Sequence, residues 1–412
     1  MQKLSQARRT RTPDRHVLVR LRLVHLALNW LAFSVCYPLC NLLAAQQGVR
    51  RSLAMPLDAA IPFLPWMAVP YATSGLLFTL VFFLVRGREA LRVASRRLLL
   101  VTVAGCLVFA ALPAQFGAVR PSVADAVPAA LFRWLDLVDR PYNQCPSLHV
   151  AYCVIVWLAL KPVCRGALRP LLGGWLALVG ASTVFTWQHH VADVAGGLLL
   201  GAAAAWAVRP GATRGTTIAY YYALGAGFVM LIGVAALHSW IAAYAAASLL
   251  LVAAAYAMRR PDFLAKRAGR HPLCAWLLFW PYLAGYRLTW ALVRVRERGR
   301  PAIVRHAPNL WTGRRLTDTE ARRLPPGCRV IDLSGELPET PLLRHAGYLH
   351  APLLDLQAPR PSQLRAVLAA LAELHAAGHP VYVHCAMGYS RSRLISRIYL
   401  RRNRRCPSRS TS

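Results

Sequence analysis

Residues 132–152 read FRWLDLVDRPYNQCPSLHVAY, two arginines seven positions apart, then Pro141, Ser147 and His149 at the head of an apolar run. The polar groups are crowded into a short interval, and almost everything around them is apolar. Of the 412 residues 56% are hydrophobic, and the mean hydropathy is +0.38, too high for an ordinary soluble protein. Apolar stretches lie at 23–45, 62–85, 98–116, 148–163, 168–187, 190–208, 217–237 and 240–258, most of them near the ~20 residues a helix needs to cross hydrocarbon. They predict eight spans. The stretch 148–163 is short and serves equally as a buried helix of the bundle. The stretch 272–293, PLCAWLLFWPYLAGYRLTWALV, is interrupted by Pro281, Gly285 and Arg287 and is rich in Trp and Tyr. It reads as an interfacial segment or one that dips back, with a ninth span as the alternative.

The chain carries 49 Lys+Arg against 16 Asp+Glu, a formal charge of +33. The positions of these charges argue against nucleic acid as the partner: they gather at the N-terminus and in every second loop, as in RGREALRVASRR, KPVCRGALR and RRPDFLAKRAGR. The positive-inside rule then places the N-terminus and the even-numbered loops in the cytoplasm of a bacterial-type inner membrane. No cleavable signal peptide is read in the polar first sixteen residues. The ten cysteines show no Cys-x-x-Cys spacing, so neither a disulfide framework nor a zinc site is expected, and no metal or cofactor is called for.

A second polar interval, STVFTWQHHVADVAGG at 182–197, follows another odd-numbered span and so shares the periplasmic side with the first. Arg133 and Arg140 suit phosphate oxygens. His189 precedes Asp193 by four residues, which predicts that ring and carboxylate share a helical face. His190 is the neighbouring alternative, without that spacing. These motifs resemble the type 2 phosphatidic acid phosphatase superfamily, whose pattern is Lys-x6-Arg-Pro, then Pro-Ser-Gly-His, then Ser-Arg-x5-His-x3-Asp. Here the pattern runs Arg133-x6-Arg140-Pro141, Pro146-Ser147-Leu148-His149 and Ser182-Thr183-x5-His189-x3-Asp193, with Arg133, Leu148 and Thr183 departing from it. The Leu148 form looks like the inositol phosphorylceramide synthase-like branch, and the similarity covers roughly residues 20–210. The resemblance implies that His189 attacks phosphorus, that Asp193 holds its tautomer, that His149 protonates the leaving oxygen, and that Arg133, Arg140 and Ser147 bind phosphate.

After about residue 296 the composition turns to that of a soluble domain. CRVIDLS and PVYVHC read as strands, and PSQLRAVLAALAELHAAG as a helix capped by Ser362 and stopped by Gly378, which together suggest a small α/β unit with parallel pairing. Its chemistry lies in VYVHCAMGYSRSR, 381–393. A Cys with a basic residue six positions on is expected about once by chance in this composition. The surroundings decide: a strand precedes Cys385, Gly388 permits tight curvature, and Arg391 closes a loop whose N–H groups can face one phosphate and favour a thiolate. The stretch resembles the protein tyrosine and dual-specificity phosphatases, signature His-Cys-x5-Arg-Ser/Thr, matched by His384, Cys385, Arg391 and Ser392. That resemblance implies Cys385 as nucleophile, Asp355 as acid, Arg391 and Gly388 in the phosphate loop, and Ser392 easing thiolate departure. The Arg-rich ending RSRLISRIYLRRNRRCPSRSTS stands where that family continues for several helical turns, so the domain reads as cut short.

The expected fold is therefore a multi-span α-helical membrane bundle plus a small C-terminal α/β Cys-dependent phosphatase domain. A basic tail covers 1–20, the membrane domain 21–260 with its core at 21–210, a linker with the interfacial segment 261–299, the phosphatase-like domain 300–405 and a tail 406–412. The expected partners are the bilayer, phospholipid or other lipid phosphates and a phosphoprotein. A lipid phosphatase is the first reading; a headgroup phosphotransferase and a phosphate-sensing membrane protein are the alternatives. A transporter is disfavoured, since no paired interrupted spans occur in matching halves.

Overall fold

The computed structural model describes residues 15–48, 51–211, 214–345 and 347–405; most of the basic tail and all of the tail 406–412 lie outside the described residues. The chain divides into two units, one of residues 1–212 with 227–242, the other of 213–226 with 243–412.

The first unit is helical. It holds α1 (Arg15–Gln46), α2 (Ala68–Leu84), α3 (Arg88–Ala111), α4 (Ala126–Val138), α5 (Leu148–Leu160), α6 (Leu168–Phe185) and α7 (Val191–Ala207). To these are added the end of α8 (Arg214–Val229), its π-helical continuation Met230–Ala236, and the start of α9 (Trp240–Ala257). Among the described residues, six helices are long and apolar enough to cross a membrane: those of α1, α2, α3, α6, α8 with its continuation, and α9. The two remaining apolar helices, α5 and α7, have 13 and 17 residues. At 1.5 Å per residue α5 reaches only about 20 Å, short of the ~30 Å hydrocarbon core. It is instead the most enclosed helix of the unit: Val150, Ala151, Ile155 and Val156 are buried among α2, α3, α6 and α7.

Glycine permits that enclosure. A Cβ on Gly197 would lie 2.5 Å from the Ser147 carbonyl oxygen, and one on Gly201 2.8 Å from Val154 Cβ. The two glycines, four apart on α7, let its backbone lie directly against α5. The loop between α3 and α5 holds the amphipathic helix α4, which hydropathy alone does not reveal; Phe132 and Leu135 are its buried face, packed with Ala68 and Tyr71.

The second unit is built on a five-stranded sheet of β1 (Ile303–Ala307), β2 (Leu310–Arg314), β3 (Arg329–Asp332), β4 (Tyr348–His350) and β5 (Val381–Cys385), in the order β1-β2-β5-β3-β4. β1 and β2 form an antiparallel hairpin and all other pairs are parallel. The central β5 is buried along its whole length, as a VYVHC run between two parallel neighbours requires. The short α11 (Asp318–Ala321) opens with a Thr317/Glu320 capping box. The helix expected from PSQLRAVLAALAELHAAG is α12 (Pro361–Ala376), which buries Val367, Leu368 and Leu371, and Gly378 follows it at φ +74. Its cap is Arg360 rather than Ser362, because Pro361 takes the first helical position and Gln363 accepts the Arg360 N–H at 3.0 Å. α13 (Arg391–Arg405) follows the Cys385 loop and buries Ile395 and Tyr399 against the sheet.

The stretch 272–293 is helical on both sides of a kink. It forms α10 (Leu273–Arg296), kinked at Phe279, where Pro281 withholds an N–H and crowds the carbonyl one turn earlier. Tyr222, Val252, Tyr256, Phe263, Phe279, Tyr282, Leu283 and Leu354 make a separate aromatic core in this unit. Residues 261–272, read as linker, thread into the unit's interior. Leu264 and Lys266 are buried there, and the Glu339 N–H donates to the Gly269 carbonyl at 2.8 Å.

Candidate functional site

In the first unit the two distant motifs meet at the amino ends of α5 and α7. Ser147 caps α5, and its N–H donates to the Asp193 carbonyl at 2.9 Å. Its hydroxyl is buried without a partner among the described residues. His149 and His189 face one another with ring centroids 6.1 Å apart, and Tyr71 lies against His149 at 4.4 Å. His189 Nδ1 is 3.4 Å from Asp193 Oδ2, with the His189 side chain 6% and the Asp193 side chain 0% exposed.

The pair reaches this geometry by a different route from a shared helical face. His189 lies before α7, His190 is the cap residue, and Asp193 reaches back from the first turn to accept the His190 N–H at 2.8 Å. The carboxylate thus caps the helix and addresses the His189 ring together. His190 turns elsewhere: it stacks on Phe116 at 4.4 Å and meets Ser52 Oγ at 3.2 Å and Asp58 Oδ2 at 3.7 Å.

One cavity is lined by both histidines, and a second, which shares part of its wall, holds the arginines. The first, of about 380 Å³, is walled by Trp30, Phe33, Tyr71, Phe78, Tyr152, His149 and His189, among others. The other, of about 740 Å³, is lined by Arg120, Arg133, Arg140, Gln144 and Gln188. The structure therefore places the two motif arginines, both exposed, in a different cavity from the histidines. Asp139 and Leu135 belong to both walls. Asp139 accepts from Tyr37 Oη and Asn41 Nδ2, each at 3.0 Å, and burial pushes its carboxyl above the usual range against those donors. Sequence reading passed over this residue although it adjoins Arg140; a carboxylate inside a stretch read as phosphate-binding was the available signal.

In the second unit Cys385 ends β5 and is 2% exposed. The loop that follows turns at Gly388, φ +75, where a Cβ would stand 2.9 Å from the Arg314 nitrogen. Ser392 Oγ lies 3.5 Å from Cys385 Sγ. Arg391 is buried, with Nη1 donating to both Glu336 oxygens at 3.0 Å and to the Leu353 carbonyl at 2.8 Å; its Nε is 3.5 Å from Asp355 Oδ1. Burial would lower the guanidinium, and the carboxylates of Glu336 and Asp355 outweigh it and hold it well above its usual range. Asp355 also accepts from Ser390 Oγ and Tyr286 Oη, both at 3.2 Å. All the C-terminal residues singled out in the sequence are thus brought together. Sequence reading missed Glu336, the carboxylate that a buried arginine in an acid-poor domain requires.

Behind this loop His384 Nε2 lies 2.7 Å from Glu339 Oε2 and 3.8 Å from Asp332 Oδ1. These three groups have the spacing of a metal site. Lys266 Nζ already engages it, donating to Asp332 Oδ2 at 2.5 Å and to the carbonyls of Leu337 and Ser334 at 2.6 and 3.1 Å. Burial works to raise Asp332, and Lys266 and His384 outweigh it to hold the carboxyl well below its usual range.

No curated protein and no solved structure matches the chain. A family model does: residues 48–207 match the PAP2 superfamily, whose members are phosphatases and phosphotransferases, and that span takes in Arg133, Arg140, Ser147, His149, His189 and Asp193, so this part of the chain is similar to enzymes that act on phosphate esters.

Proposed function

We propose that the first unit is an integral membrane enzyme that acts on lipid phosphates through a phosphohistidine. The observation that carries this reading is the facing pair His149 and His189, with Asp193 beside Nδ1 of His189, next to both an apolar and a basic cavity. Asp193 at Nδ1 leaves Nε2 to attack phosphorus. The P–N bond forms as the ester P–O bond breaks, and His149 gives its proton to the departing oxygen. Water or an alcohol then attacks the phosphohistidine, passing its proton back to His149. The basic cavity suits the headgroup and the apolar one a hydrocarbon chain. Leu148, in the form of the inositol phosphorylceramide synthase-like branch, favours transfer to an alcohol as the second reading. By the loop charges this site faces the periplasm and the C-terminal domain the cytoplasm.

The second unit supports a Cys-dependent phosphatase of the dual-specificity kind. There the Cys385 thiolate attacks phosphorus, Asp355 protonates the leaving oxygen, and water hydrolyses the phosphocysteine; the fork of Arg391 is steered by Glu336. Phosphate release or transfer from lipid phosphates by solubilised protein carrying Cys385→Ser tests the first reading. His189→Ala in that background should abolish it, and surviving turnover would overturn the assignment.

A further inference from the structure

The Asp355 carboxylate is held from both sides. Ser390 Oγ and Arg391 Nε approach Oδ1 from the Cys385 loop and the start of α13, and the Leu356 N–H donates to the same oxygen at 3.0 Å. Oδ2 receives the Tyr286 hydroxyl, at 3.2 Å, from α10. Tyr286 belongs to no part of the sheet domain. It lies on the aromatic, kinked helix that precedes it, half-buried against Tyr282, whose ring centroid is 4.9 Å away. The charge of this carboxylate is felt by Glu336 before β4, Tyr222 of α8 and Tyr256 of α9.

α10 is also held in register with the sheet domain. Trp290 Nε1 donates to the Arg315 carbonyl at 2.9 Å, one helical turn beyond Tyr286. Upstream of the helix, Lys266 is buried on Asp332, and His271 Nε2 is 2.6 Å from the Gly335 carbonyl. The segment 261–296 is thus anchored before, within and after the turn that carries Tyr286, so the phenol is presented to Asp355 by a rigid element.

We propose that Tyr286 is a positioning residue for Asp355, so that the membrane-proximal helix α10 completes the acid arm of the Cys385 site. The proposal rests on the reading of Cys385 as a nucleophile and Asp355 as the leaving-group acid. Without the phenol, Oδ2 loses the one donor that, among the described residues, comes from outside the Cys385 loop, α13 and the Asp355 loop itself. The carboxyl is then free to rotate toward Arg391 and Ser390, away from the ester oxygen it must protonate.

The test is Tyr286→Phe in the full-length, detergent-solubilised protein, which keeps the ring in the aromatic core and removes only the hydroxyl. Turnover is counted only where Cys385→Ser abolishes it. An alkyl phosphate, whose alkoxide needs a proton to leave, should lose about tenfold or more in kcat with KM within about twofold, since a positioned acid contributes roughly 10²–10⁴-fold. p-Nitrophenyl phosphate, with a stable phenolate to expel, should change by less than about twofold. Equal losses on both substrates, or no loss on either, would overturn the role. Absence of any Cys385-dependent turnover in the wild type would instead reject the underlying reading. Amide exchange then decides the contact itself: residues 351–360 should exchange faster in Tyr286→Phe with β5 unchanged, and identical exchange would overturn it.

Discussion

The backbone N–H of Ser147 donates to the carbonyl oxygen of Asp193 at 2.9 Å, so the caps of two helices forty-odd residues apart are one structure. Gly197 makes that bond possible by leaving room for the Ser147 carbonyl. Gly197→Ala puts a methyl 2.5 Å from that oxygen, and the helices must separate. We expect a loss of about 1–3 kcal/mol in stability and at least tenfold in lipid phosphate turnover, although no residue of the chemistry is changed. Paired thermal melts and phosphate assays on the solubilised protein would measure both.

Ser147 itself offers the opposite separation. Its buried hydroxyl has no partner among the described residues, and a buried hydroxyl left unsatisfied costs about 1–3 kcal/mol. Ser147→Ala should therefore leave the melting temperature unchanged or raise it, while turnover of a lipid phosphate falls at least tenfold. A drop in both quantities would mean that the hydroxyl serves the fold and not the substrate.

The charges behind Cys385 predict a pH dependence. Burial works to lower His384, but Asp332 and Glu339 outweigh it and raise the ring above its ordinary 6.5. A raised folded-state value gives stability that is complete below 6.5 and lost as pH rises through the folded value. The unfolding midpoint of the second unit should fall as the pH rises above 6.5, and Glu339→Gln should flatten that slope. Circular dichroism melts across the range would show a parallel slope in the variant if another group is responsible.

Lys266 stands in the same cluster. Lys266→Met leaves the Asp332 carboxylate buried with its remaining partners alone, a loss of about 3–5 kcal/mol, whereas Lys266→Met with Asp332→Leu should recover much of it. Urea unfolding of the four proteins in a double-mutant cycle gives the coupling.

The orientation read from the loop charges can be measured in intact cells. In a background without the ten native cysteines, single cysteines at the exposed Ala126 and Ser362 would be treated with an impermeant maleimide. Labelling at Ala126 with protection at Ser362 is expected. Labelling at both positions would place the C-terminal domain outside.

The sequence was most readable where one residue type has one use. Apolar runs marked the helices from α1 to α9 with the exception of α4, and the Cys385 loop announced its strand, its turn and its arginine. Elements whose identity depends on distant partners were not visible. α4 is amphipathic only with respect to Ala68 and Tyr71, and β1, β2 and β4 are too short for a clear period. The division of the arginines and histidines between two cavities followed from how the helices pack, which spacing along the chain does not encode. Lys266 and Tyr286 fell in segments read as linker and interface, where nothing local hints that a charge or a phenol is committed to a site in the next domain.

His190 is held by Phe116, Ser52 and Asp58, all on segments before α4. Two adjacent imidazoles therefore have separate employments, one facing His149 and one riveted to the preceding loop. Since Asp193 fixes the start of α7 through the His190 N–H, a slip of one position would have to tear out three contacts before the second ring could turn inward. The neighbour is no understudy: loss of His189 leaves the site without a replacement, and a doublet that looks redundant on paper has no redundancy in space.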